Sequence, residues 1–341
     1  SFGSEVSMST NFLVATISHL DGSGATTMLV TIPMMLPIYK KMKIRPQALL
    51  LLAAICSGSM NMTPWCSSVL RLTSATGGDA MELWRYVLPL QVICLILSYL
   101  IVIPLAKLER KNGAGMTEEE FKALKATLNQ PVETKVSMKV IYFDIILTVA
   151  ILIAMLSGVV KSNLGFMVAL AVALVVNFPN PKDQTKKVKE FGGTALNMIM
   201  IIFSIGVLVG VLKDSGMMDG MVALILAIIP ESLGSHITWI ISALSVPLSM
   251  FLGSDTVYMA VAPIMANVVT AYGSTMLQLN AAFLIGACLS ANLCLVGPTP
   301  YLALGLADVD MPSNLKYCFP WVFGMSLLVS VIAGVIGVIP F

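Results

Sequence analysis

The sequence predicts an all-α polytopic membrane protein, and three observations predict it. Hydrophobic residues make up 57% of the chain and charged residues only 11%, against about 25% charged in an ordinary soluble domain. Mean hydropathy is +0.90. Apolar runs at 87–105, 140–160, 164–178, 195–212 and 317–339 approach or reach the about 20 residues that a helix needs to cross a bilayer. No period-two alternation of the kind a membrane barrel requires is visible. No cleavable signal peptide is expected from residues 1–10, which are polar and lack a basic n-region. A net charge of +2, with the lysines in loops rather than in a stripe, points away from nucleic acid as a partner.

From the N-terminus, the first informative element is the knot DGSGATT (21–27), set before an apolar helix containing Pro33 and Pro37. A basic loop follows, with Lys40, Lys41, Lys43 and Arg45. The next apolar run is broken by NMTPW (61–65), and the span 87–105 comes after it. The segment 107–139 is the one long hydrophilic stretch. Its basic residues and the acidic run Glu118 to Glu120 read as a solvated linker with a short surface helix. Lys182, Lys186, Lys187 and Lys189 form a third basic loop. By the positive-inside rule all three basic loops are cytoplasmic, with an even number of crossings between them.

The second half repeats the layout. The knot GSDT (253–256) precedes a helix containing Pro263, and the next apolar run is broken by NLCLVGPTP (292–300). The first knot's helix leads into a basic loop and the second's into the uncharged loop AYGST (271–275). The halves therefore have opposite orientations, the mark of inverted-topology repeats in secondary transporters. Residues 1–106 are assigned to the first repeat and 107–139 to the cytoplasmic linker. The second repeat spans 140–341, with scaffold helices, a hairpin at 235–272, a broken helix at 280–307 and a final helix at 317–340. The symmetry predicts one or two further helices ahead of residue 1.

Irregular backbone at membrane depth survives only inside protein or against a water-filled cavity. The two knots and two breaks are thus expected to line one pocket of hydroxyls, carbonyls and helix N-termini, which attract anions. The other reading is a pair of surface turns. Asp21 and Asp255 lie in the knots, to carry a coupling ion or to cap the following helices. Arg71 either pairs with a substrate carboxylate or snorkels to the interface. His19 and His236 read as packing or interfacial residues, and the six cysteines, with no C-x-x-C pair, as small core residues. No enzyme motif is present. Two buried acids keep an intramembrane aspartyl protease among the alternatives, and a channel is another.

The stretches HLDGSGATTMLVTIPMMLPIYKK, NMTPW with its following arginine, FLGSDTVYMAVAPIMANVVTAYG and PTPYLALGLADVDMPSNLKYCFPW resemble the citrate–divalent metal–proton symporters of the ion transporter superfamily. The resemblance runs over essentially the whole chain. It implies a homodimer with a scaffold domain and a mobile transport domain working as an elevator, and family members that begin further upstream. The first-knot pattern falls on Asp21, Gly22, Gly24, Thr26 and Thr27, and the first break on Asn61, Pro64 and Trp65. The arginine falls on Arg71, and the second knot on Ser254 and Asp255. The chain departs from the family's pattern at Cys66 to Val69, at Gly253 and Ser254, and around the second break.

The expected activity is secondary active transport of citrate or a related di- or tricarboxylate across a bacterial cytoplasmic membrane. Gly22, Ser23, Gly24, Thr26, Asn61, Thr63, Pro64, Arg71, Ser254, Thr256, Asn292 and Thr299 would bind substrate. Asp21 and Asp255 would serve the coupling ion, H+ or Na+, or a co-transported Mg2+ or Ca2+. No covalent cofactor is expected. A sodium-coupled carrier that binds no chelate is the alternative.

Overall fold

The computed structural model describes residues 3–115, 137–160, 162–217, 219–220, 223–224, 231–234 and 236–340. All regular structure among them is helical. The expected surface helix with Glu118 to Glu120 lies outside the described residues. Among the described residues, four helices are long and apolar enough to cross a membrane: Ala80–Lys111, Met138–Met155, Met276–Leu293 and Met311–Val335.

The chain forms two compact units, residues 1–125 with 208–341, and residues 126–207. In the first, α1 (Gly3–Ser18) runs into a 3-10 turn (His19–Asp21), and α2 (Gly24–Lys41) follows. α2 stays helical through Pro33 and Pro37. α3 (Pro46–Met60) opens on a proline at its first position, where the missing N–H costs nothing. It ends at the break, after which come α4 (Ser67–Thr76), α5 (Ala80–Leu100) and α6 (Val102–Lys111).

In the second unit α7 (Met138–Leu156) packs on α8 (Ser162–Asn177). Asn177 Nδ2 donates to Asp144 Oδ1 at 2.8 Å. α9 (Pro181–Asp214) begins there and is 34 residues long. Lys182 to Lys189, expected as a loop, form its first turns, because Pro181 starts the helix ahead of them.

The first unit resumes with α10 (Glu231–Gly234) and α11 (Ile237–Leu252), which stops at Gly253. α12 (Ser254–Thr256), a π-helical turn (Val257–Val261) and α13 (Ala262–Ala271) follow as successive helical segments. Then come α14 (Met276–Ser290), a 3-10 turn (Ala291–Leu293), α15 (Pro298–Ala307) and α16 (Met311–Val335). This last helix starts and ends several residues before the expected 317–340.

α3 and α14 are apolar all round and buried along most of their length, so they form the core of this unit. They cross at Gly58: a methyl group there would lie 2.8 Å from both Cys288 O and Leu289 Cα. Packing about this crossing is reciprocal. α1 packs on α3 and α11 on α14, while α2 packs on α15 and α4 on the π turn and α13. α5 and α16 flank the core and turn Val92, Ile96, Leu328 and Val331 outward.

The basic loop is held by one buried acid. Glu109, 1% exposed, accepts from Arg45 N, Nε and Nη2 at 3.1, 2.9 and 2.6 Å, and from the Tyr317 hydroxyl at 2.8 Å. Arg45 also stacks on Tyr317, its Cζ 4.6 Å from the ring centroid. The hydrogen bond to Glu109 raises the already high pKa of the Arg45 guanidinium further.

Candidate functional site

The knots are built by local backbone chemistry. In the first, Gly22 takes a left-handed conformation (φ 76°), which ends the 3-10 turn. Asp21 Oδ1 accepts from Ser23 N at 2.8 Å, and Ser23 Oγ caps α2 by accepting from Thr26 N at 3.3 Å. In the second, Gly253 sits at φ 87° and ψ 141°, a conformation open to glycine, and interrupts the helix between α11 and α12.

Four helix starts converge on these glycines. A methyl on Gly22 would lie 3.1 Å from Cys66 Sγ, at the start of α4. One on Gly24 would lie 3.4 Å from Asn292 Oδ1 and 3.5 Å from Thr299 Cγ2, at the start of α15. One on Gly253 would lie 3.7 Å from Cys294 Sγ, and one on Gly297, the residue before α15, would lie 3.5 Å from the same sulfur. Of the four starts, only that of α2 has a side-chain cap. Those of α4, α12 and α15, preceded by Cys66, Gly253 and Gly297, have none. Their first N–H groups are left to other partners, although Pro298 and Pro300 carry none, so α15 offers only that of Thr299 in its first three positions.

Side chains lock the knots to the breaks. His19, fully buried, bonds through Nδ1 to Thr27 Oγ1 at 2.7 Å and through Nε2 to Asn61 Oδ1 at 3.0 Å. Trp65 Nε1 donates to Leu20 O at 3.0 Å. On the other side, Leu295 N donates to Met250 O at 2.8 Å, Ser254 Oγ donates to Ala287 O at 3.2 Å, and the Ser249 and Ser290 hydroxyls bond to each other. Asn292 Nδ2 donates to Ser57 Oγ at 2.6 Å, joining the second break to α3.

Several expected site residues therefore meet. Gly22, Ser23, Gly24 and Thr26 share one turn with Asp21, and Asn292 and Thr299 lie against Gly24. Asn61 reaches the first knot through His19. Arg71, on α4, forms an ion pair with Asp255, on α12. Others are committed inward: Thr63 Oγ1 donates to Met60 O at 3.0 Å within the first break, and Pro64 is buried beside it. Thr256 is exposed one position beyond Asp255. Asp21 and Asp255 have separate partners, Ser23 N and Arg71, so they are not a dyad sharing one proton. No group of three or more His, Cys, Asp or Glu side chains placed to hold a metal occurs among the described residues.

Two relations lay beyond sequence reasoning. His19 read as a packing residue, and its spacing to Thr27 and to the NMTPW break was the available signal. The Arg71–Asp255 pair joins positions 184 residues apart, and no local pattern announces it.

The profile of the citrate transporter family (CitMHS) matches residues 6–286. The chain is 31% identical over 344 residues to a protein of Bacillus subtilis (strain 168) named citrate transporter, covering 99% of this chain and 78% of that protein. It is 30% identical over 324 residues to the Mg(2+)/citrate complex secondary transporter of the same organism, covering 94% and 74%. Both relatives are transporters rather than enzymes. The match over most of the chain and the 31% identity show that the chain belongs to the citrate transporter family.

Proposed function

We propose that this protein carries citrate, as its complex with a divalent cation such as Mg2+ or Ca2+, across a bacterial cytoplasmic membrane by proton-coupled symport. The carrying observation is the convergence of the uncapped starts of α4, α12 and α15 on the two knots. Free N–H groups at helix starts bring partial positive charge to one place and suit a polycarboxylate. The reciprocal packing of α2 on α15 and of α4 on α13 supports an inverted pair of repeats, each lending a knot to the other's broken helix. Substrate would bind between Gly22, Ser23, Gly24 and Thr26 on one side and Asn61, Arg71, Ser254, Thr256, Asn292 and Thr299 on the other. Thr63 and Pro64 would shape the first break, and Asp21 would serve a coupling ion. Transport would proceed in a homodimer by elevator-type alternating access, with the knots and breaks moving against a scaffold.

Uptake of radiolabelled citrate into proteoliposomes tests this reading. Uptake should require Mg2+ or Ca2+, stop in EDTA, and follow an imposed proton gradient. Uptake that persists in EDTA and follows a sodium gradient would replace it with sodium-coupled carriage of the free acid. Absence of citrate uptake under both regimes would remove citrate as the substrate.

A further inference from the structure

We propose that the Arg71–Asp255 ion pair is a lock that only a metal–carboxylate complex opens, the carboxylate taking Arg71 and the cation taking Asp255. The inference rests on the reading above and gives a physical reason for carrying the complex rather than its parts.

The two charges sit in unequal surroundings. The Arg71 side chain is 14% exposed and that of Asp255 49%. Arg71 has five N–H donors, and its one hydrogen bond to a described residue is to Asp255. The guanidinium cannot give up Asp255 without another anion, because a part-buried charge stripped of its partner is strongly unfavourable. Asp255 is open enough for a small cation to reach it. The pair also joins α4 of one half to α12 of the other, and α4 packs along the π turn and α13 beyond it.

Each ligand alone meets a barrier here. A free polycarboxylate drawn to Arg71 brings like charge against Asp255, and like charges juxtaposed at a recognition surface are costly. A free divalent cation drawn to Asp255 meets the guanidinium in the same way. A complex that presents one carboxylate not claimed by its metal supplies both missing partners at once. Arg71 exchanges one carboxylate for another, Asp255 exchanges a guanidinium for a metal, and no charge is stranded. The lock therefore selects polycarboxylates with at least one carboxylate to spare after metal binding.

The test is calorimetric titration of the detergent-purified chain with citrate in EDTA, Mg2+ alone, and citrate with Mg2+. In the unmodified protein, citrate affinity should rise with Mg2+ by a factor within the about 5- to 150-fold typical of coupled sites. In Asp255→Asn, Arg71 is left without its anion, so citrate should bind in EDTA and the ratio should fall to near one. In Arg71→Gln, citrate affinity should drop in both conditions, while Mg2+ alone should bind at Asp255. If a single variant fails to fold, the double variant strands neither charge and should also show a ratio near one. A ratio unchanged from the unmodified protein in Asp255→Asn or in the double variant overturns the lock and leaves citrate as substrate. No citrate binding by the unmodified protein in any condition overturns the substrate reading, and the lock with it.

Discussion

The two knots hold the same place against their breaks by different chemistry. The first is tied by long side chains: the His19 ring spans from Thr27 to Asn61, and the Trp65 indole reaches back to Leu20 O. The second is tied by backbone and short hydroxyls: Leu295 N to Met250 O, Ser254 to Ala287 O, and Ser249 to Ser290. A connection made by one ring is lost when that ring is removed. A connection shared by the backbone and several small groups loses only a part with any one side chain. The first knot is therefore the more vulnerable to truncation and the second to changes in backbone geometry.

Truncating one link on each side should give the largest contrast. His19→Ala strands the buried Asn61 amide and removes one of two bonds from Thr27, which keeps its bond to Ser23 O. A stranded buried polar group costs about 1–3 kcal/mol, and the cavity left by the ring adds to this. Ser290→Ala removes one hydroxyl from a contact whose backbone bond survives, at about 0.5–1.5 kcal/mol. Thermal unfolding in detergent should rank His19→Ala well below Ser290→Ala. Equal losses would mean that the second knot depends on its hydroxyls as much as the first depends on its ring.

Backbone geometry should reverse the vulnerability. At Gly253 a methyl meets nothing closer than 3.7 Å, so any cost of Gly253→Ala comes from the backbone angles themselves. Such conformations cost about 1–3 kcal/mol for a non-glycine residue. At Gly22 the left-handed angle is milder, roughly 1–2 kcal/mol, and the remaining cost is the 3.1 Å approach to Cys66 Sγ. A second substitution separates the two causes. Cys66→Ala should recover part of the stability lost in Gly22→Ala, whereas Cys294→Ala should recover none of that lost in Gly253→Ala. Rescue at both sites would show that crowding, not backbone strain, governs the second knot.

The two knots were legible because single residues dictate them: Gly22 and Gly253 interrupt the helices at the positive φ that glycine tolerates. The cap expected of Asp21 falls instead to Ser23, and nothing in the sequence reading marked Pro46 and Pro298 as helix starts. The family could be read for the same reason as the knots, since its motifs are these knots and breaks. The pairings were not legible. A lone histidine before a knot has the same local signature whether it packs or bridges, and only the fold brings Asn61 to it. Arg71 was ambiguous between substrate and interface for want of Asp255, which reaches it from the other half of the chain. The basic run 182–189 looked like a loop because its charge pattern fits a solvated helix face equally well.

The smallest effect bears on the caps, where the two knots also differ. Ser23 caps α2, whereas α12 begins after Gly253 with no side chain to offer. Ser23→Ala should lower stability by about 1 kcal/mol, and Ser23→Gly by only a few tenths, because glycine is itself accepted at this position. Thr275, which caps α14 within a capping box away from the knots, gives the reference: Thr275→Ala should cost about the same as Ser23→Ala. Citrate with Mg2+ should then discriminate between them. If Ser23 only caps, each Ala variant keeps the affinity of the unmodified protein. If its hydroxyl also touches substrate, Ser23→Ala and Ser23→Gly lose affinity alike while Thr275→Ala does not. That pattern would make the first knot the side of the site that reads the substrate through side chains, leaving the uncapped second knot to read it through backbone N–H groups.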